Sequence, residues 1–260
     1  MPGSAMLEAA IEAARAAEQV IRHHYARNLE VELKADRTPV TIADVESEKA
    51  IRGILEQRFP DHGFYGEETG QHDLDAEFLW LVDPIDGTKS FVRRSPYFST
   101  QIALMHRGEL VLGVSNAPAF QEMAWAERGA GARLQGEPIR VSGIDTLDSA
   151  TLSMGNIKSL ARSSEWPKLG QLVSAVNRTR GYGDCFHYHQ LASGRLDAVL
   201  ESDVNILDVA ACAVIVREAG GEVTTLEGGP LTLDATSILA TNGCLHPRVM
   251  SCLSGGLQMS

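Results

Sequence analysis

Two aspartates that could hold a metal ion, Asp83 and Asp86, lie just after an apolar run at residues 78–82. The six residues from Asp83 read Asp-Pro-Ile-Asp-Gly-Thr, and the apolar run has the length and composition of a buried strand. Pro84 favours an extended backbone at Asp83, and the Gly-Thr pair predicts a turn into a helix whose first N–H groups have no partner within the helix. Carboxylates are ligands that Mg²⁺ prefers, and such N–H groups can receive a phosphate. The pattern therefore predicts a metal and phosphate site, with a plain aspartate-rich turn as the structural alternative.

Further acidic residues stand at the ends of other predicted elements. Glu67 follows a predicted strand at residues 63–65, and Asp208 begins an apolar stretch at residues 209–216 that predicts a buried helix. N-capping of that helix is an alternative role for Asp208. The four carboxylates in question belong to Glu67, Asp83, Asp86 and Asp208. Because grouped carboxylates repel one another, their convergence would favour a site with at least two divalent cations.

Composition limits the possible partners. A chain of 260 residues can bury a substantial core, in one large domain or in two fused halves of about 1–145 and 146–260. The formal net charge of −11 disfavours a nucleic-acid surface and would repel a phosphate ester unless cations reversed the sign locally. With no apolar stretch of about 18 residues and no N-terminal signal pattern, we expect neither a membrane span nor a signal peptide, and a cytoplasmic protein. The four cysteines form no Cys-x-x-Cys pair and are interpreted as reduced thiols.

The elements that must position these acids follow from periodicity and turn residues. Thr41 and Asp44 form a capping pattern ahead of a predicted helix at residues 46–59. Strands are predicted at residues 101–105, 109–114, 123–127, 150–154 and 197–200, and helices at residues 7–25, 166–176 and 185–193. This order of elements predicts a mixed α/β fold.

Several motifs together resemble the inositol monophosphatase family of Mg²⁺-dependent, Li⁺-sensitive phosphatases. They are Gly-Glu-Glu at 66–68, Trp-Leu-Val-Asp-Pro-Ile-Asp-Gly-Thr-Lys-Ser-Phe at 80–91, Leu-Asp-Val-Ala-Ala at 207–211 and Glu-Ala-Gly-Gly at 218–221. The resemblance covers nearly the whole chain. Within the family, residues 38–44, 183–185 and 192–198 are most similar to the histidinol-phosphate phosphatase branch.

The resemblance implies a fold and a set of metal ligands. The fold would be a layered αβαβα sandwich, usually a homodimer, with two or three Mg²⁺ ions at the loops between its halves. One ion would be held by Glu67, Asp83 and the Ile85 carbonyl, and a second by Asp83, Asp86 and Asp208. A third, weaker ion would lie near Glu67.

The same resemblance implies catalytic roles. Thr88 and Asp44 match the pair that polarises the attacking water, with Asp44 accepting from the Thr88 hydroxyl, and Glu67 belongs to the same catalytic group. Capping is the alternative role for Asp44. The N–H groups of Gly87 and Thr88 would hold the phosphate, and Lys34 matches a family lysine near it. Water would attack directly, without a phosphoenzyme.

Two other interpretations compete with this one. In haloacid-dehalogenase-type phosphatases the first Asp of the motif is a nucleophile and the second stands two positions later. Asp83 and Asp86 stand three apart with Pro84 between them, so the spacing disfavours that mechanism. The non-enzyme alternative is an inactive family member that serves as a binding or regulatory protein, which the residue types at the matched positions disfavour.

Acidic residues also suggest a substrate. The residues expected to contact it are Ile85, Asp86, Gly87, Thr88, Gly183, Asp184, Glu201 and Asp208. Acidic side walls at Asp184 and Glu201 would complement the ammonium and imidazole of L-histidinol phosphate, whereas inositol 1-phosphate or another small phosphate needs only hydrogen-bond partners. The alternative interpretation is that Asp184 and Glu201 are solvated loop acids.

Leu207 stands where the family usually has an aromatic residue. His187 and His189 lack further ligands at zinc spacing, so we expect a helix-surface or packing role.

Overall fold

A computed structural model describes residues 3–26, 31–33 and 39–255. Lys34 and Thr38 lie outside these residues. The helices of this part are α1 (Ala5–Tyr25), α2 (Ile42–Arg58), α3 (Thr88–Val92), α4 (Ile157–Arg162), α5 (Trp166–Ala175), α6 (Asp184–Ala192), α7 (Ile206–Glu218) and α8 (His246–Leu253). The strands are β1 (Val31–Leu33), β2 (Pro39–Thr41), β3 (Gly63–Gly66), β4 (Gly70–His72), β5 (Phe78–Asp86), β6 (Ser99–His106), β7 (Glu109–Ala117), β8 (Glu122–Glu127), β9 (Gly131–Leu134), β10 (Glu137–Ile139), β11 (Thr151–Met154), β12 (Arg178–Arg180), β13 (Ala198–Ser202), β14 (Glu222–Thr224) and β15 (Ser237–Thr241).

Two sheets organise the chain. The larger has eight strands in the order β10-β9-β8-β7-β6-β5-β3-β4, and all its pairs are antiparallel except β3 with β5. The smaller has five strands in the order β12-β11-β13-β15-β14, with β11 parallel to both of its neighbours. β1 and β2 form a separate antiparallel ribbon. Short turns suit the antiparallel pairs, whereas helices connect the parallel strands of the small sheet.

Three hydrophobic cores separate five layers. The first core joins α1 and α2 to one face of the large sheet, and the second joins the other face of that sheet to α6, α7 and the small sheet. The third lies between the small sheet and α4, α5 and α8. The order helix, sheet, helix, sheet, helix confirms the predicted αβαβα sandwich. Among the helices of the described segments, none is long and apolar enough to cross a membrane.

Strand β5 directs its side chains alternately into two cores. Trp80 and Val82 pack in the core with α1 and α2, whereas Leu79 and Leu81 pack in the core with α7. Because side chains alternate along a strand, Asp83 continues the side of Leu79 and Leu81. The strand pattern therefore turns this carboxylate toward the middle layer, where α7 begins.

Helix α7 is buried on nearly every side, as its uninterrupted apolar sequence predicts. It lies so close to the large sheet that a Cβ at Gly113 would stand 2.3 Å from the Ala211 carbonyl oxygen. A glycine at this position of β7 is thus required for the approach. The close contact fixes the N-terminus of α7, and Asp208 with it, against the carboxyl end of β5.

Candidate active site

Three aspartates converge where β5 meets the start of α7. Oxygen atoms of Asp83, Asp86 and Asp208 all lie within 4.8 Å of one another. In a regular strand, residues three apart point to opposite faces, but the pairing of β5 with β6 shifts register between Asp83 and Asp86. The irregularity therefore allows both carboxylates to face Asp208, the arrangement that the family resemblance implies.

Backbone N–H groups fix two of these carboxylates. Oδ1 of Asp83 accepts from the Ile85 N–H at 2.9 Å. Oδ2 of Asp208 accepts from the Asn205 N–H at 2.8 Å, while the Asn205 side chain accepts from the Leu207 N–H at 3.1 Å. Asn205, rather than Asp208, is thus the N-cap of α7, and Asp208 is the acidic partner of a capping box. Both aspartates are oriented by the backbone before any ligand binds.

Glu67 does not belong to the cluster of Asp83, Asp86 and Asp208, but its charge affects the pKa of Asp83. Its N–H donates to the Val82 carbonyl at 3.2 Å, which brings the end of β3 beside Asp83. Burial, followed by the charges of Glu67 and its acidic neighbours, raises the pKa of Asp83 well above its usual range. Burial and the Glu67 charge also contribute to the raised pKa of Asp44. The Glu67 charge therefore acts on both the aspartate cluster and Asp44.

The pKa values of Asp86, Asp208 and Asp184 are also raised. Burial, and then the charges of Asp184 and Asp208, raise the pKa of Asp86 well above its usual range. Burial is also the largest cause at Asp208, whose pKa rises to about 7, and at Asp184, whose pKa rises to about 6 with the Glu201 charge as the second cause. Such mutual repulsion is relieved by cations, and a donor set made of carboxylate oxygens fits hard ions such as Mg²⁺.

Asp44 holds two roles at once. Its Oδ2 accepts from the Thr41 N–H at 2.8 Å and from the Thr41 hydroxyl at 2.6 Å, which completes the predicted capping box of α2. Its Oδ1 accepts from the Thr88 hydroxyl at 3.2 Å, and that hydroxyl also lies 3.0 Å from the Ile85 carbonyl. The Thr88 proton is therefore directed at protein acceptors, which leaves the oxygen lone pairs available to another donor such as water.

Gly87 shapes the turn between β5 and α3. Its φ of +85° lies in the left-handed region, and a Cβ would stand 2.6 Å from the Tyr97 carbonyl oxygen. Both facts require glycine. The Ser90 and Phe91 N–H groups donate back to the Gly87 carbonyl, so the N–H groups of Gly87 and Thr88 precede the first hydrogen bonds of the turn.

A cavity of about 330 Å³ opens beside the acidic cluster. Of the residues predicted to contact substrate, Asp86, Gly183, Asp184, Glu201 and Asp208 line it. Ile85 is buried, and Gly87 and Thr88 lie at the neighbouring turn rather than in the cavity wall. The structure therefore brings the predicted acidic side walls onto one cavity that shares Asp86 and Asp208 with the cluster.

Glu201 is not the solvated loop acid of the alternative interpretation. Strand β13 extends to Ser202, and the Glu201 side chain is 7% exposed. Its Oε2 accepts from the Tyr188 hydroxyl at 2.7 Å and lies 3.1 Å from His187 Nε2. A Cβ at Gly155 would overlap Glu201 Oε1. Tyr188, His187 and Gly155 were missed as site residues, because nothing local in the sequence links α6 or the end of β11 to Glu201.

Two other expectations are refined by burial. His187 and His189 are both 0% exposed, so the packing role is right and the helix-surface role is wrong.

Leu207 is 2% exposed and packs in the middle core, whereas Val204 and Val209 line the cavity. The departure from the usual aromatic residue at position 207 is therefore a change within the core.

Comparisons with known proteins agree with this architecture. A model described as the inositol monophosphatase family matches residues 4–255. The chain is 39% identical over 255 residues to the histidinol-phosphatase of Mycobacterium tuberculosis, which covers 95% of this chain and 97% of that protein. It is 34% identical over 252 residues to the inositol-1-monophosphatase of Caulobacter vibrioides, with 94% and 98% covered.

Solved structures give the same result. The extragenic suppressor protein suhB of Bartonella henselae superimposes with a TM-score of 0.90 at 32% identity, covering 98% of this chain and 100% of that one. An inositol monophosphatase of Thermotoga maritima superimposes with a TM-score of 0.84 at 31% identity, covering 96% and 97%. The family is generally metal-dependent, in keeping with the acidic cluster. The chain therefore belongs to the inositol monophosphatase family, whose members are phosphoric monoester hydrolases.

Proposed function

We propose that this protein is a Mg²⁺-dependent phosphomonoesterase that hydrolyses L-histidinol phosphate to L-histidinol. The observation that carries the proposal is the cavity itself, which is lined by Asp184 and Glu201 and shares Asp86 and Asp208 with the acidic cluster. Three curated relatives bear the name histidinol-phosphatase, at 39%, 34% and 36% identity. Both the local charge and the relatives thus favour a cationic phosphate ester.

The residues that would hold the metal ions are Glu67, Asp83, Asp86, Asp208 and the carbonyl of Ile85. Bound Mg²⁺ would supply the positive charge that this acidic pocket needs to accept a phosphate, and would lower the pKa of a nearby water. The chain's contribution is orientation, since the Ile85 and Asn205 N–H groups already hold one oxygen each of Asp83 and Asp208.

We assign the orientation of the attacking water to Thr88 and the acceptance of a proton to Asp44. Because the Thr88 hydroxyl donates to Asp44, its oxygen can accept a hydrogen bond from the attacking water and orient it. Burial raises the pKa of Asp44, which makes its carboxylate a better proton acceptor than an exposed aspartate. The N–H groups of Gly87 and Thr88 lie at the same turn and would contact the phosphate oxygens.

The substrate's organic part would occupy the cavity. Glu201 is oriented by Tyr188 and His187 through Oε2, so Oε1 is the oxygen left to contact a ligand. A carboxylate pairs well with the ammonium group of histidinol phosphate, and Asp184 lines the same wall. Carboxylates also accept from hydroxyl groups, so inositol 1-phosphate is the second candidate, favoured by the relatives named inositol-1-monophosphatase at 34% and 36% identity.

A substrate panel separates these candidates. Phosphate release would be measured from histidinol phosphate, inositol 1-phosphate, fructose 1,6-bisphosphate and adenosine 3′,5′-bisphosphate, each with and without Mg²⁺. The highest kcat/KM is expected with histidinol phosphate, and no release is expected after chelation. A preference for inositol 1-phosphate would reassign the substrate, and no release from any ester would support the inactive binding protein. Trapping a phosphoaspartate would revive the haloacid-dehalogenase-type mechanism.

Mg²⁺ is expected to stabilise the fold more at about pH 8 than at about pH 5.5. In the metal-free protein, Asp208 and Asp184 have pKa values of about 7 and about 6, above the usual 3.8. A raised folded-state pKa gives stability that is present at low pH and lost as pH rises through the folded-state value. Cations offset that loss, so the rise in Tm on adding MgCl₂, measured by scanning fluorimetry, should be several degrees larger at the higher pH. An equal rise at both pH values, or an equal rise with NaCl of the same ionic strength, would contradict the cation site.

Glu201→Gln is expected to raise KM for histidinol phosphate by about tenfold, because the substitution keeps the shape of the side chain but removes the charge that faces the ammonium. KM for inositol 1-phosphate should change little, since the amide NH2 that replaces Oε1 can donate to a hydroxyl oxygen. The matched control is Asp203→Asn, which neutralises an exposed acid two residues away that does not line the cavity. Equal KM changes in the two variants would refute a direct contact at Glu201.

A further inference from the structure

A row of buried polar residues crosses the large sheet beside the acidic cluster. Asp83, Gln101 and Ser115 are direct partners across β5, β6 and β7, and Ser99 is paired with Asp86. Ser99, Gln101 and Ser115 are each 0% exposed. They continue the face that carries Ala103 and Met105 into the middle core, so polar side chains replace apolar ones only near the site.

Gln101 bonds to both serines of this row. Its Nε2 donates to Ser99 Oγ at 2.7 Å and to Ser115 Oγ at 3.0 Å. Ser99 in turn donates to Asp86 Oδ2 at 3.4 Å. On the other side of the amide, the Cys212 thiol donates to Gln101 Oε1 at 3.5 Å. Every polar atom of the Gln101 amide therefore has a partner within the core.

The row continues from β7 toward the end of β8 through His189 of α6. The Nε2 atom of this buried histidine lies 2.8 Å from Ser115 Oγ, and its Nδ1 lies 3.5 Å from Glu122 Oε2. This close approach of His189 is the largest cause of the lowered pKa of Glu122. Glu122 is 23% exposed, so the row runs from the acidic cluster to the protein surface.

One arrangement of protons satisfies every hydrogen bond from His189 Nε2 to Asp86. An ionised Glu122 can only accept, so His189 Nδ1 carries a proton and Nε2 accepts from the Ser115 hydroxyl. The Ser115 oxygen is then open to one amide proton of Gln101, and the Ser99 oxygen takes the other. This leaves the Ser99 proton for Asp86. His189 thus sets the direction of a chain of hydrogen bonds that ends on the aspartate cluster.

We propose that Gln101, held in place by Ser115 and His189, is a positioning residue that orients the Asp86 carboxylate for metal binding through the Ser99 hydroxyl. The inference rests on the proposed function, in which Asp86 is a metal ligand. Partners that orient a metal-binding carboxylate commonly change metal affinity by 10-fold to 100-fold when they are removed. Gln101 and His189 do not line the cavity, and the side-chain hydrogen bonds that lead from them to the cluster run through Ser99 to Asp86.

The test is metal affinity in variants of the row. The Kd of Mn²⁺ would be measured by calorimetry on metal-free protein, together with the Mg²⁺ concentration for half-maximal hydrolysis and with Tm. Gln101→Met, which removes the amide but keeps the length of the side chain, is expected to raise the Mn²⁺ Kd by about tenfold. His189→Leu should raise it by a smaller factor. The double variant should be no weaker than Gln101→Met alone, because both substitutions break one chain of bonds.

The matched control is His246→Leu. His246 is also buried and lies 3.2 Å from Thr241 Oγ1 and 3.1 Å from Thr224 Oγ1, but it belongs to the opposite side of the small sheet. This variant should lose stability while it keeps the wild-type Mn²⁺ Kd. If Gln101→Met does not fold, Gln101→Leu also removes both amide donors without adding a charge. An unchanged Kd in the Gln101 variants, an equal change in His246→Leu, or additive effects would overturn the positioning role. Failure of the wild-type protein to bind Mn²⁺ would instead refute the proposed function, and this inference with it.

Discussion

Asp83→Asn is expected to reduce kcat/KM for phosphate-ester hydrolysis by about 10³-fold or more, with the fold retained. Asp83 is 2% exposed and stands between Glu67, Asp86 and Asp208, so it is the one carboxylate proposed to contact both metal ions. An amide cannot supply the negative charge that holds two cations, and catalysis of phosphate transfer depends mainly on such electrostatic positioning. The asparagine oxygen can still accept from the Ile85 N–H, so the turn should survive. Hydrolysis kinetics and a thermal unfolding curve of the same preparation check both statements.

The metal-free Asp83→Asn protein should also unfold at a higher temperature than the metal-free wild type. Removing one charge from a buried cluster of acids relieves repulsion that nothing else offsets when cations are absent. Asp145→Asn is the matched control, because Asp145 is exposed and far from the cluster in the fold. It should keep the wild-type activity and the wild-type response to Mg²⁺. Activity within tenfold of wild type in Asp83→Asn would contradict the metal assignment.

Local patterns made much of the fold predictable. The apolar run before Asp83 predicts strand β5, and the uninterrupted apolar stretch at residues 209–216 predicts helix α7, each to within a few residues of its observed bounds. Both elements are buried on more than one face, and such burial requires a continuous apolar sequence. The Thr41 and Asp44 capping pattern was likewise readable, since a capping box is defined by residues three apart. The αβαβα order came from the family resemblance rather than from periodicity. Alternation alone does not say how two sheets share a layer of helices.

The unpredicted parts of the site are contacts between residues distant in sequence. Glu201 was assigned to the substrate, but its partners on α6 depend on how that helix packs beside β13, which no local pattern encodes. The pairing of Gln101 with Asp83 and Ser115 requires the registers of three strands. In the sequence, Gln101 and Ser115 are polar residues at the ends of apolar runs, next to Thr100 and Asn116. Only the fold shows that they lie in one row and that His189 completes it.

Asp44→Asn is expected to reduce kcat by about 10²-fold with little change in KM, a typical loss for removal of a positioned proton acceptor. The amide oxygen can take over the two bonds from Thr41, which leaves the amide nitrogen facing the Thr88 hydroxyl. A nitrogen donor there reverses the bond, so the protein takes one lone pair of the Thr88 oxygen and no carboxylate remains to accept its proton, which weakens its hold on water. Steady-state kinetics at saturating Mg²⁺ measure this effect apart from metal binding.

Because Asp44 also caps α2, a loss of stability must be separated from a loss of catalysis. Ser4→Ala removes the N-cap of α1, whose hydroxyl accepts from the Leu7 N–H at 3.2 Å, and should cost about 1 kcal/mol without changing kcat. Thr88→Val should lower kcat about as much as Asp44→Asn, and the double variant should lower it no further, since the two side chains act as one unit. Multiplicative losses in the double variant would show that Asp44 and Thr88 act independently. A fall in kcat for Ser4→Ala as large as that for Asp44→Asn would show that loss of a helix cap alone explains the effect. The pair then could not be the group that orients water.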